Sequence, residues 1–139
     1  MKLLRKQLLV AAILCLTLRA PTPAAEGVKP RALEVWVRTE LYFATSRAAG
    51  EVTAADFAGF VDHHVTRLFP DGMTVLSGYG QFRKASGQLV KERSYLLILL
   101  YPAQLKDANS RIQELRSIYK DTFGQESVLR VDSFALVSF

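Results

Sequence analysis

The chain has 139 residues, with 18 basic and 13 acidic groups, a net charge of +5, half of its residues apolar and a single cysteine. Its first 25 residues hold Lys2, Arg5, Lys6, Arg19 and Cys15 but no acid, so the remainder carries 14 basic and 13 acidic residues and no thiol. That balance excludes a disulfide scaffold and thiol catalysis, and it removes the basic excess that a nucleic-acid binder needs.

The leading segment reads as an export signal. A short basic start precedes an apolar run from Leu8 to Leu18, broken only by Thr17, and Ala20-Pro21-Thr22-Pro23-Ala24-Ala25 offers small residues for cleavage near Ala24-Ala25. The run is about eleven residues, short of the roughly 20 that span a bilayer, so no membrane anchor is expected after cleavage. A periplasmic or secreted protein is expected. Lipidation of Cys15 needs a small residue ahead of it, and Leu14 stands there, so Cys15 reads as a hydrophobe of the leader.

Residues 26–34 read as a flexible extension and 35–139 as one domain. The first predicted strand is Val35 to Phe43, with Val35, Val37, Thr39, Leu41 and Phe43 on one face and Trp36, Arg38, Glu40 and Tyr42 on the other. A loop follows at Ser46 to Gly50. Thr53 and Asp56 then form an acidic variant of the capping box, starting a helix with Phe57, Phe60, Val61, His64, Val65 and Leu68 along one stripe. Pro70-Asp71-Gly72 ends it.

Met73 to Arg83 is a second strand, in which Gly78 and Gly80 predict a bulge or a close backbone approach. Lys84-Ala85-Ser86-Gly87 is a hairpin turn leading into a third strand, Leu89 to Tyr101. The apolar run Leu96 to Leu100 marks that strand as covered on both faces. A second helix runs from Ala103 or Asp107 to Phe123, stopped by Gly124. Ser127 to Phe139 closes the chain as one bent strand or two short ones, broken near Asp132-Ser133. The order β-α-β-β-α-β predicts an α+β, ferredoxin-like sandwich with two helices on one face of an antiparallel sheet. The terminal Phe139 resembles the last residue of an outer-membrane barrel strand, but a short domain with two helices cannot close such a barrel.

Chemistry-bearing motifs are few. His63-His64 are adjacent, hence about 100° apart on a helix, and without cysteine they do not make a shared metal site. No metal and no cofactor is expected. Gly78-Tyr79-Gly80 lacks the third glycine and following helix of a dinucleotide loop. Charged residues set in strands are the better candidates: Arg38 and Glu40 with Tyr42, then Arg93 and Arg130, which the fold allows to converge beside the first strand. Three readings follow. These groups seal a homodimer through the sheet face, or an arginine holds a small anionic ligand, or Glu40 acts as a general base in a small cofactor-free enzyme. A closed Glu40 ion pair without a cavity would remove the last.

Several blocks carry a resemblance. Thr39-Glu40-Leu41-Tyr42-Phe43, Phe69-Pro70-Asp71-Gly72 with Thr74, Gly78-x-Gly80-Gln81-Phe82, Glu92-Arg93-Ser94, Tyr119-Lys120, and Phe123-x-Gln125-Glu126-Ser127-Val128-Leu129-Arg130 resemble, over residues 35 to 139, the bacterial family known as domain of unknown function 3574. The resemblance implies a small, usually exported protein and carries no activity. It also implies a non-histidine pair where His63-His64 stands, which weakens any catalytic role for those two. The reading is an exported ligand-binding or interaction module that uses its exposed sheet face.

Overall fold

Alternating burial along one long strand organises the molecule. The computed structural model describes residues 32–83 and 86–139, so the predicted leader, residues 26–31 of the extension and Lys84-Ala85 of the hairpin turn lie outside the described residues. Strand β1 (Glu34–Ala44) buries Thr39, Leu41 and Phe43 completely and leaves Arg38, Glu40 and Tyr42 half-buried on the opposite side. This is the period-2 division expected of it.

After β1 the chain makes a small hairpin, β2 (Ser46–Arg47) and β3 (Gly50–Glu51), where a plain loop was expected. The hairpin is tied down from several sides. The Ser46 backbone N–H donates to Glu92 Oε2 at 2.7 Å, Gln125 Nε2 donates to the Ser46 carbonyl at 2.9 Å, and the buried Thr45 hydroxyl lies 2.7 Å from the Arg93 carbonyl oxygen.

Thr53 caps the first helix as expected. Its hydroxyl accepts from the Asp56 N–H while the Asp56 carboxylate accepts from the Thr53 N–H. Helix α1 (Ala54–Phe60) passes into a π-helical turn, Val61–Val65, and then a last turn, α2 (Thr66–Leu68). The buried positions are Phe57, Phe60, Val65 and Leu68. The five-residue step from Phe60 to Val65 is the wider turn, since one extra residue must be absorbed to return Val65 to the core. Thr66 supports the wider turn: both its N–H and its hydroxyl bond to the Val61 carbonyl.

Strands β4 (Thr74–Arg83) and β5 (Leu89–Pro102) pair without interruption from Thr74↔Ile98 to Arg83↔Leu89. The expected bulge at Gly78 and Gly80 is absent. Both glycines sit across from the Ser94 neighbourhood, and a Cβ there would lie 3.7–3.8 Å from Ser94 Oγ, which is ordinary contact. Helix α3 (Ala108–Phe123) ends at Gly124, whose φ of 65° is the left-handed stop anticipated for it. Strand β6 (Leu129–Val137) is single and unbroken through Asp132-Ser133.

The four long strands form an antiparallel sheet in the order β4-β5-β1-β6, so β1 and β5 are central. The fold is α+β, with both helical segments packed on one face. Phe43, Phe57, Phe60, Tyr95, Tyr119 and Phe123 form an aromatic cluster there, with Phe57 stacked on Tyr95 at 4.0 Å between ring centroids and Phe43 edge-on to Tyr119 at 4.5 Å. No helix among the described residues is long and apolar enough to cross a membrane.

Candidate functional site

Cross-strand partners share a face of a sheet, so the registers decide which candidate residues meet. On the face away from the helices, Leu76, Leu96, Tyr42 and Leu129 form one row across the four strands, and Thr74, Ile98, Glu40 and Val131 the next. Leu100, Arg38 and Ser133 form a third, followed by Pro102, Trp36 and Ala135. A polar column, Arg38-Glu40-Tyr42, therefore runs down β1 between walls of leucine, isoleucine and valine. Leu76, Leu129 and Val131 are 50%, 59% and 44% exposed, an uncovered apolar surface.

Within the column the groups satisfy one another. Arg38 Nη2 lies 2.8 Å from Glu40 Oε1, and the Tyr42 hydroxyl donates to Glu40 Oε2 at 2.6 Å. That hydrogen bond raises the Tyr42 phenol above its usual range, with desolvation and the Glu40 charge adding to the effect and Arg38 opposing it. Arg38 Nε is shielded from solvent and has no acceptor. Glu40 lines neither the cleft beside Asn109, Arg116 and Arg130 nor the one beside Asp56, His63 and His64.

Arg93 and Arg130 do not join this column. Arg93 shares the strand phase of the core residue Tyr95, and Arg130 pairs with buried Leu41, so both belong to the helix side of the sheet. The expected convergence is corrected by register: one residue of phase sends a side chain to the other face. Arg93 instead lies 3.8 Å from Glu51 of the small hairpin. Arg130 Nε pairs with Asp132 at 2.9 Å and its Nη1 donates to Asn109 Oδ1 at 2.8 Å.

Asp132, in the last strand, has a partner 93 residues away in sequence, Thr39 of β1. It closes a relay through the core: Tyr101 O–H to Thr39 Oγ at 2.8 Å, then Thr39 O–H to Asp132 Oδ1 at 2.5 Å. The carboxylate only accepts, which fixes the direction of both bonds. Burial pushes the Asp132 carboxyl up, but the Arg130 and Thr39 hydrogen bonds and the Arg130 charge outweigh it and hold it below the usual range. A depressed carboxyl stabilises the fold above its unfolded value of about 3.9 and loses that contribution as pH falls through the folded value. The stability gap between wild type and Asp132→Asn is thus expected to be level from pH 7 to 5 and to shrink below about pH 4. Urea denaturation across that range checks it, and a gap that persists unchanged to pH 2 contradicts it.

His63 is exposed and His64 half-buried, as expected for one surface and one core-edge histidine. His63 Nδ1 sits 2.7 Å from the Gly59 carbonyl, and His64 packs against Phe60 at 5.8 Å. Both line a cleft of about 350 Å³ with Asp56. No group of three metal-ligating side chains occurs among the described residues.

A family model described as "Protein of unknown function (DUF3574)" matches residues 38–139. The chain belongs to that family. No curated protein matches it. Among solved structures, a phage SAM lyase in complex with S-methyl-5'-thioadenosine is similar at 16% identity and a TM-score of 0.58, over 75% of this chain and 90% of that one. The apo state of a phage SAM lyase gives 18% identity and a TM-score of 0.55, over 76% and 86%. CutA from Synechococcus elongatus follows at 8% identity, 78% and 81% coverage, and a TM-score of 0.48. The two lyase structures share the fold with this DUF3574 domain.

The residues that suggested the DUF3574 resemblance have structural partners. Glu92, Arg93 and Gln125 secure the small hairpin, and the Tyr119 hydroxyl donates to the Ala44 carbonyl at 2.9 Å. Burial drives that phenol well above its usual range, so it stays protonated as a donor. Glu40 and Tyr42 are different. They stand on the open face, bonded to each other and to Arg38.

Proposed function

We propose that this DUF3574 protein is an exported interaction module whose open sheet face pairs with a second copy of itself. The observation that carries the reading is the charged column set in an uncovered apolar face. Arg38 and Glu40 lie two residues apart on a central strand, so a two-fold axis between the copies brings the arginine of each opposite the glutamate of the other. The strand order β4-β5-β1-β6, with helices on one face only, supports the ferredoxin-like arrangement, and among the described residues only Phe139, against Trp36 at 5.2 Å between ring centroids, is seen to pack onto the other face. Four strands about 4.8 Å apart and about 30 Å long present roughly 570 Å² in plan, near the scale of the ~800 Å² that each partner buries in a standard interface.

The enzyme reading around Glu40 receives no such support. Its carboxylate is closed by Arg38 and Tyr42, and it lines neither of the two clefts described above. The thioadenosine ligand belongs to the phage lyase, and at 16% identity that likeness speaks for the fold. Isotope-filtered NOE spectroscopy on mixed labelled and unlabelled protein tests the interaction reading. Intermolecular NOEs are expected from the methyl groups of Leu96, Ile98 and Leu100. Their absence, or NOEs confined to the helix side, overturns it.

A further inference from the structure

On the other side of the sheet, α3 and β6 enclose an open cleft of about 590 Å³, lined by Asn109, Arg116, Arg130 and Asp132 with the 127–129 segment. Arg116 donates Nε and Nη2 to the Val128 carbonyl, at 3.1 and 2.8 Å, and Nη1 to Gln113 Oε1 at 2.9 Å. Arg130 uses Nε for Asp132 and Nη1 for Asn109. A guanidinium has five N–H donors. Arg116 therefore spends three and Arg130 two, leaving half of the pair's donors unengaged. The bonds already made hold both planes in place, which lowers the ordering cost of taking up a ligand.

Charge decides the class of ligand. Arg130 is neutralised by Asp132, whereas Arg116 has only neutral acceptors and no carboxylate within ion-pair distance among the described residues. The cleft is thus left with one uncompensated positive charge. Guanidinium groups bind planar and tetrahedral oxyanions by paired N–H···O contacts.

We propose that this cleft binds a small singly charged oxyanion, a carboxylate or a phosphoryl group, through Arg116 with Arg130 at its side. The cleft shares only Leu129 with the sheet face, while Arg116 and Arg130 lie on the helix side, so its success or failure leaves the interaction reading untouched. Anion affinity for the cleft is read from the arginine Nε–H resonances while inorganic phosphate, at a pH where it is mainly a monoanion, or acetate is titrated in at constant ionic strength set by sodium chloride. Saturable shifts of the Arg116 and Arg130 signals are expected with at least one of the two probes. Saturation by acetate alone identifies a carboxylate site, and by phosphate alone a phosphoryl site. Arg116→Gln is expected to abolish the saturation. Because Arg116 also holds the Val128 carbonyl, Ser127→Glu is the second variant: it adds a negative charge at an exposed lining position, keeps both arginines, and is expected to raise the midpoint at least about tenfold, or 1.4 kcal/mol. Shifts that never saturate with either probe, or saturation unchanged in both variants, overturn the proposal.

Discussion

Phe43→Ala is expected to destabilise the fold by about 3–5 kcal/mol, the range for truncating a fully buried aromatic. Phe43 has no solvent exposure and stands edge-on to Phe57, Phe60 and Tyr119, at 5.4, 5.5 and 4.5 Å between centroids. Its ring meets both helical segments, Phe57 and Phe60 on one and Tyr119 on the other. Removing it leaves a void among rings that are themselves fixed by neighbours, so collapse into the space is hindered. Tyr119→Phe is the matched control, losing only the hydroxyl bond to Ala44 and about 1 kcal/mol. Urea midpoints at constant m-value measure both changes. A Phe43→Ala cost below about 1 kcal/mol contradicts the placement of this residue at the centre of the core.

The second large effect concerns association. Glu40→Arg places arginines opposite arginines across the proposed two-fold, and like-charge contact within an interface costs several kcal/mol. At 1.4 kcal/mol per tenfold, dimer dissociation is expected to strengthen by at least about 100-fold. The double variant Arg38→Glu with Glu40→Arg restores opposite charges both within and between copies. It is expected to recover association to within about tenfold of wild type. Circular dichroism separates these outcomes from misfolding, since both positions lie on the surface of an isolated chain. Equal weakening in the single and double variants would refute the crossed pairing.

Much of the fold is legible in the residue pattern, and the exceptions have physical causes. The strict alternation along β1 reveals its buried and open faces, and Thr53 with Asp56 announces the first helix, because both signals are local. The small hairpin β2–β3 has two-residue strands with no period to read; it exists because Glu92, Arg93 and Gln125, distant in sequence, hold it. The π turn shows only as a five-residue step between Phe60 and Val65, which an α-helical stripe through Val61 and His64 conceals.

The candidate site was half legible for a related reason. Arg38, Glu40 and Tyr42 alternate with buried residues, so their common face follows from β1 itself. Leu96 to Leu100 is apolar at every position and gives β5 no visible phase. Arg93 consequently cannot be assigned to a face without the register that puts it opposite Tyr79. In β6, apolar residues occupy both sides, with Phe134 as exposed as 80%, and the face of Arg130 is hidden in the same way. Gly78 and Gly80 suggested a bulge, yet two glycines also fit a regular strand beside Ser94.

The open sheet face as a contact between two copies of this chain is the central claim, and sedimentation equilibrium of the purified protein tests it most directly. Over a micromolar concentration series, the account predicts a reversible monomer–dimer equilibrium that Glu40→Arg shifts to monomer. A single monomeric species at every concentration, for wild type and variant alike, would contradict it.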